Sequence, residues 1–335
     1  MKRWLVRLPL ALLALAALGL GIVGWLGSRH LVSPPRRALE PYHRDILGDP
    51  ARFGLSVTSF RGPAETPCLL VTPAASPRTA RKSRELRKRL GDRVPPWGEI
   101  RGTVVLLHGH RGRKEDHLPI CERFCAAGFR CILPDLPGHG EHPSGVAGFG
   151  TRECELVEGI VDDARCCFQL PDDPLFLFGV SQGGAIALQT AARDPERWAG
   201  VVSVAAFADL DAIVERSAGR LHPAVDFAAP LTSLAVDLGT GLRAGFLPSR
   251  VRPEVAAGSL VLPVMIVHGE EDRFIPADHA RRIHAALPQP GGCLRMVPGA
   301  GHGRVLAKEA ATLYPEICEF LLRSSGTAPP ATAAY

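Results

Sequence analysis

From residue 103 onward, short runs that are almost wholly apolar alternate with segments of helical periodicity. The runs at 103–107, 131–134, 175–179, 201–205, 264–268 and 294–297 are short for helices and too apolar for strands with one wet face. They read as strands covered on both sides, and their alternation with helical patterns at 116–127, 151–167, 182–193, 276–286 and 307–322 predicts a parallel sheet flanked by helices. Ahead of them, 53–60 and 67–72 read as two strands joined by a turn at 61–63, an antiparallel entry to that sheet. The 335 residues are 46% hydrophobic and 22% charged, which excludes a disordered or collagenous chain.

Two stretches interrupt the alternation. The connection from 205 to 264 is far too long for a simple crossover, and Leu231, Leu234, Leu238 and Leu242 make it apolar enough to pack over something. Residues 207–259 therefore read as a helical cap above the carboxyl ends of the strands, the edge where such sheets bind ligands. Residues 74–98 read as a solvated basic insertion with little to bury. Arg78, Arg81, Lys82, Arg84, Arg87, Lys88, Arg89 and Arg93 against Glu85 and Asp92 outweigh the whole formal net charge of +5, so the rest of the chain is close to neutral. That local charge is no nucleic-acid-binding surface.

The first 30 residues are different again. Residues 8–26 carry no charge and follow Lys2, Arg3 and Arg7. A run of this length nearly spans a hydrocarbon core and suits a retained signal anchor better than a cleaved signal, since no small-x-small cleavage site ends it. The preceding charges put the N-terminus in the cytoplasm and the domain that follows outside, although Arg29, Arg36 and Arg37 weaken that bias. Residues 31–39 then form a linker, 40–323 the main domain, and 324–335 a disordered tail. Nine cysteines without a C-x-x-C pair read mostly as small buried hydrophobes.

The chemistry centres on Gly179-Val180-Ser181-Gln182-Gly183-Gly184, which lies between the run 175–178 and a helical pattern. A serine on a sharp strand-to-helix turn needs minimal side chains two positions either way, and the helix that follows aims its N-terminus at developing negative charge. A serine hydroxyl is a poor nucleophile without a base, and the base needs a carboxylate. Asp272 follows the run 264–268, and His302 lies in the small-residue loop 298–303; Glu271 is the neighbouring alternative to the acid. The turn His108-Gly109-His110-Arg111-Gly112 supplies the fourth element, with the amides of His110 and Gln182 as the expected oxyanion donors. A metal site is disfavoured, because five residues separate His110 from Asp116 where a binuclear zinc pattern needs the Asp within the run.

With His108-Gly109, Asp135-Leu136-Pro137-Gly138-His139-Gly140, the Gly179–Gly184 elbow, His268-Gly269-Glu270-Glu271-Asp272 and Gly301-His302 in place, the chain resembles the α/β-hydrolase superfamily over nearly all of 50–323. The resemblance is to its esterase, lipase and serine-aminopeptidase-like branch. It implies a mostly parallel sheet of about eight strands and hydrolysis of a carboxylic ester of a small or lipid-like substrate through an acyl-enzyme on Ser181, with Asp272 and His302. No metal or organic cofactor is implied. Peptidase, thioesterase or haloperoxidase chemistry on the same three residues, and a silent binding protein on the same fold, are the alternatives. Gln182 and the pair His110-Arg111 depart from common patterns, which bears on substrate class rather than mechanism.

Overall fold

The computed structural model describes residues 2–76, 80–219, 229–288 and 292–326. Eight strands form one sheet: β1 (Leu55–Gly62), β2 (Thr66–Pro73), β3 (Gly102–Leu107), β4 (Phe129–Pro134), β5 (Leu175–Val180), β6 (Gly200–Val204), β7 (Val264–Gly269) and β8 (Gly292–Val297). Their spatial order is β1-β2-β4-β3-β5-β6-β7-β8. β2 is antiparallel to both β1 and β4, and every later pair is parallel. The first hairpin runs one step further than the sequence suggests, because both strands stay paired to Gly62 and Thr66 and the turn falls at Pro63–Glu65.

Among the described residues twelve helices surround or extend the sheet: α1 (Lys2–Val32), α2 (Pro41–Gly48), α3 (Arg81–Leu90), α4 (Leu118–Ala126), α5 (Glu153–Phe168), α6 (Gln182–Arg193), α7 (Leu210–Gly219), α8 (Ala229–Ala244), α9 (Pro253–Ala257), α10 (Ala277–Ala286), α11 (Val305–Lys308) and α12 (Ala310–Ser324). Side chains alternate across each strand. Val105, Leu107, Leu177 and Ile266 join one buried layer with α5 and α6, whereas Val104, Leu106, Phe176 and Phe178 join the other with α4 and α12. Both faces are dry, which is why these strands read as continuous apolar runs.

The basic stretch is not a solvated insertion. In α3, Ser83, Leu86 and Leu90 are buried; Ser83 donates to the Glu122 carbonyl at 2.8 Å, and Arg87 donates to the carbonyls of Ala126 and Pro95, each at 2.8 Å. Arg87 is half-buried along its stem while its guanidinium satisfies two backbone carbonyls, a use of Arg that a charge count misses. Residues 31 and 32 also depart from a linker, because they are the last turn of α1 and are hydrogen-bonded into the domain. Residues 77–79 of the basic stretch, 220–228 of the cap and 327–335 of the tail lie outside the described residues.

α1 has two parts. Its first part projects from the domain, with Leu8, Leu12, Leu15 and Leu18 all exposed. Its second part packs against α8, where Gly24 and Gly27 approach Ala235 and Val236 so closely that a Cβ at either would collide. Residues 7–32 form an apolar helix long enough, by length and composition, to cross a membrane.

Candidate active site

β5 lies in the middle of the parallel sheet, so the turn after it opens at the carboxyl edge. Ser181 sits on that turn with φ 55° and ψ −116°, a strained conformation for a residue with a side chain. Three features hold it there. Its amide donates to the Val204 carbonyl at 2.7 Å, and its carbonyl accepts the first α6 bond, from Ala185, at 3.1 Å. The third is absence of bulk: a Cβ at Gly179 would strike the Gly183 carbonyl, and one at Gly183 would strike the Leu107 carbonyl. The glycines are therefore required by the close approach of three backbone segments.

The loop after β7 carries Asp272 and the loop after β8 carries His302. The Glu271 amide donates to the Ala300 carbonyl at 3.0 Å, which fixes one loop against the other. Asp272 Oδ2 lies 2.6 Å from His302 Nδ1, and His302 Nε2 lies 3.0 Å from Ser181 Oγ. The chain Asp272, His302, Ser181 is thus continuous, with Nδ1–H donating to the carboxylate and Nε2 free to accept the serine proton. Asp272 Oδ1 accepts from the amides of Phe274 and Ile275, both at 2.9 Å. Burial alone would raise the Asp272 carboxyl, but hydrogen bonds from His268, His302 and the Ile275 amide outweigh it and hold the group well below the usual carboxylate range. Glu271 is exposed, so geometry selects Asp272 from the neighbouring pair.

The turn after β3 abuts the elbow, since a Cβ at Gly109 would lie 3.2 Å from the Val180 carbonyl and 3.4 Å from Ser181 Cβ. Two histidines set it. His108 Nε2 accepts from the Leu136 amide at 3.0 Å, which binds the turn to the loop after β4. His110 Nε2 donates to the Leu31 carbonyl at 2.9 Å, and its ring stacks on Phe149 at 5.9 Å. Burial lowers the His110 ring to about 4, so it is neutral near pH 7 and has one N–H to give. Below the turn, the buried Asp135 carboxylate accepts from Lys114 Nζ and from the amides of Lys114 and Glu141, each at 2.8 Å. His139 Nδ1 lies 2.9 Å from the Pro137 carbonyl in the same loop.

A family model described as serine aminopeptidase, S33, matches residues 98–244, the segment from before β3 to the end of α8. The monoacylglycerol lipase of Mycolicibacterium smegmatis is 27% identical over 238 residues, which cover 62% of this chain and 83% of that one. Among solved structures, an esterase of Pyrococcus furiosus aligns with a TM-score of 0.60 at 15% identity, covering 88% of this chain and all of that one. Family model, relative and fold all point to the α/β-hydrolase superfamily. A bacterial membrane phospholipase A shares the fold at a TM-score of 0.55 and 18% identity, with 97% of this chain and 99% of that one covered.

In this hydrolase, Ser181 opens into a cavity of about 560 Å³ that is almost wholly apolar. Phe149, Phe207 and Ile213 form one side, Phe274 and Ile275 another, and Val23, Leu26 and Leu31 of α1 a third. His110 and Gln182 lie at the same cavity. Both side-chain atoms of the Gln182 carboxamide are buried and have no hydrogen-bond partner among the described residues, so a polar group on a substrate would meet a donor and an acceptor there.

Sequence reasoning missed two contributors to this site. His268 places Nε2 at 2.9 Å from the Ile275 carbonyl and at 3.4 Å from Asp272 Oδ2, fastening the acid loop to the end of β7. A histidine four residues before the acid was the available signal. The other is α1, whose apolar run looks the same in sequence whether it faces lipid or a cavity.

Proposed function

We propose that this hydrolase cleaves the carboxylic ester of a lipid-like substrate at Ser181, in a domain held at a membrane by α1. The observation that carries the reading is the Asp272–His302–Ser181 chain opening into an apolar cavity. His302 Nε2 takes the Ser181 proton as Oγ bonds to the ester carbonyl carbon, and the oxyanion so formed is received by the His110 and Gln182 amides. Such donors are worth roughly 3 to 4 kcal/mol each. Asp272 holds the imidazolium in place. The carbon–oxygen bond to the leaving alcohol then breaks as His302 protonates it, leaving an acyl group on Ser181. Water, deprotonated by His302, repeats the attack and frees the acid.

The cavity favours an acyl chain over a peptide N-terminus, because among the described residues no Asp or Glu lines it to receive an ammonium. The contacts of α1 support its retention as an anchor. Removing it would strip the cavity of one wall and leave the buried His110 N–H and the Ala147 amide, which donates to the Val32 carbonyl at 2.7 Å, without acceptors. Lys2, Arg3 and Arg7 then place the domain on the extracytoplasmic side; protease digestion of intact spheroplasts should degrade it, and protection would reverse the orientation. The activity test is labelling with a fluorophosphonate, compared between the wild type and Ser181→Ala, followed by p-nitrophenyl esters of increasing chain length. Labelling and turnover lost only in the variant are the expected result, and a folded wild type that neither labels nor turns over would sink the reading.

A further inference from the structure

α8 is amphipathic the wrong way round for a helix in water. Leu231, Leu234, Leu238 and Leu242, spaced three, four and four residues apart, are 55%, 55%, 58% and 92% exposed, whereas Ser233 and Thr240 are buried beneath them. A leucine stripe of this kind at the surface marks a contact with something apolar. It continues onto the exposed Leu18, Ile22 and Trp25 of α1. Between the two helices runs a groove of about 450 Å³, walled by Leu20, Gly21 and Gly24 on one side and Leu231, Leu234 and Leu238 on the other. The contact of Gly24 with Ala235 and of Gly27 with Val236 separates it from the Ser181 cavity.

Among the described residues, the only charged one lining this groove is Arg243. Its guanidinium lies 4.1 Å over the Trp25 ring, and its Nε and Nη2 are buried without a hydrogen-bond partner among the described residues. Two desolvated donors on a cation are costly unless an anion accepts from them. The ends of the groove differ. α1 and α8 both finish at the loop 147–152, where Val32 O accepts from the Ala147 amide and Ala244 O from Arg152 Nη2. Trp25 and Arg243 are therefore at the domain end, and Leu20 and Leu231 lie further out. With the apolar run of α1 in a bilayer, the domain end is at headgroup depth, where Trp and Arg are favoured, and the outer end is in hydrocarbon.

We propose that the α1–α8 groove is a second lipid site, distinct from the Ser181 cavity, which holds one acyl chain of a membrane lipid along its leucines and binds that lipid's anionic headgroup at Arg243. The proposal rests on the reading of α1 as a retained anchor. Its test uses the full chain in phosphatidylcholine vesicles containing a trace of phosphatidylglycerol that carries a carbene-generating diazirine in its acyl chain, with diazirine phosphatidylcholine as the comparison, and maps the adducts by mass spectrometry. The expected result is phosphatidylglycerol adducts on 20–25 and 231–243 at least fivefold above the phosphatidylcholine analogue, undiminished when Ser181 has first been capped with a fluorophosphonate. Arg243→Gln should remove that fivefold preference while still labelling with fluorophosphonate. If that variant does not fold, Leu238→Trp, which fills the groove, should remove the adducts instead. Equal labelling by the two lipids, or adducts on 8–19 with none on 231–243, overturns the groove and leaves the anchor standing. Absence of adducts on 8–19 overturns both, and cross-linking of two copies through α8 in place of lipid adducts overturns the groove by giving it another occupant.

Discussion

Asp272 and His302 are each held by more than one partner, and the surplus is what fixes their roles. Asp272 accepts from two backbone amides and from His302, so its charge and direction are set before any substrate arrives. Asp272→Asn would preserve the shape and present an amide N–H or a weaker acceptor to His302 Nδ1, favouring the wrong tautomer. In this reading kcat/KM for a p-nitrophenyl ester should fall by about 10⁴ with the melting temperature changed by only a few degrees; a loss below tenfold would remove Asp272 from the mechanism. His268 acts through Asp272. Gln182, His108 and Asp135 were visible in sequence as types at a turn, but their partners lie in other loops, so spacing along the chain carried no sign of them.

At the level of elements, the elbow is a crossing of three backbones. β3, β5 and the start of α6 come together at Gly179 and Gly183, where neither has space for a Cβ. Gly183→Ala should push α6 away from Leu107 and shift Ser181 relative to His302. An overpacked site of this sort is expected to lose roughly 1 to 3 kcal/mol of stability, and fluorophosphonate labelling should slow at least a hundredfold; chemical denaturation and labelling rate measure the two, and an alanine variant equal to the wild type in both would contradict the steric account. The strands were legible because a doubly covered strand is apolar along its whole length. α3 was not, because its buried face is only Ser83, Leu86 and Leu90 and its polar bonds to the domain are made by Ser83 and Arg87. The packing of α1 on α8 was equally hidden, since two apolar helices announce burial but not each other.

For the molecule as a whole, the carboxyl edge gathers buried imidazoles. Burial lowers His108 and His139 to about 3 and His110 and His117 to about 4, from an ordinary value of 6.5. Unfolding restores the ordinary value, so the unfolded chain takes up protons that the native one refuses. Stability is complete above about pH 6.5 and declines as the pH falls toward 4; at pH 5 each ring contributes a loss on the order of 2 kcal/mol. Denaturant midpoints measured from pH 7 to 5 should drop steeply, and a flat profile would mean that these rings are solvated. What the sequence determined by itself was local: the period of the strands, the glycines of the turn, and the order Ser181, Asp272, His302, each readable because backbone geometry restricts which residues can stand there. Only the tertiary structure decided that α1 walls the cavity, that α3 is packed, that His268 backs Asp272 and that the leucines of α8 face outward. Those depend on contacts between residues far apart in the chain, and an apolar or charged side chain has the same composition whichever neighbour the fold brings to it.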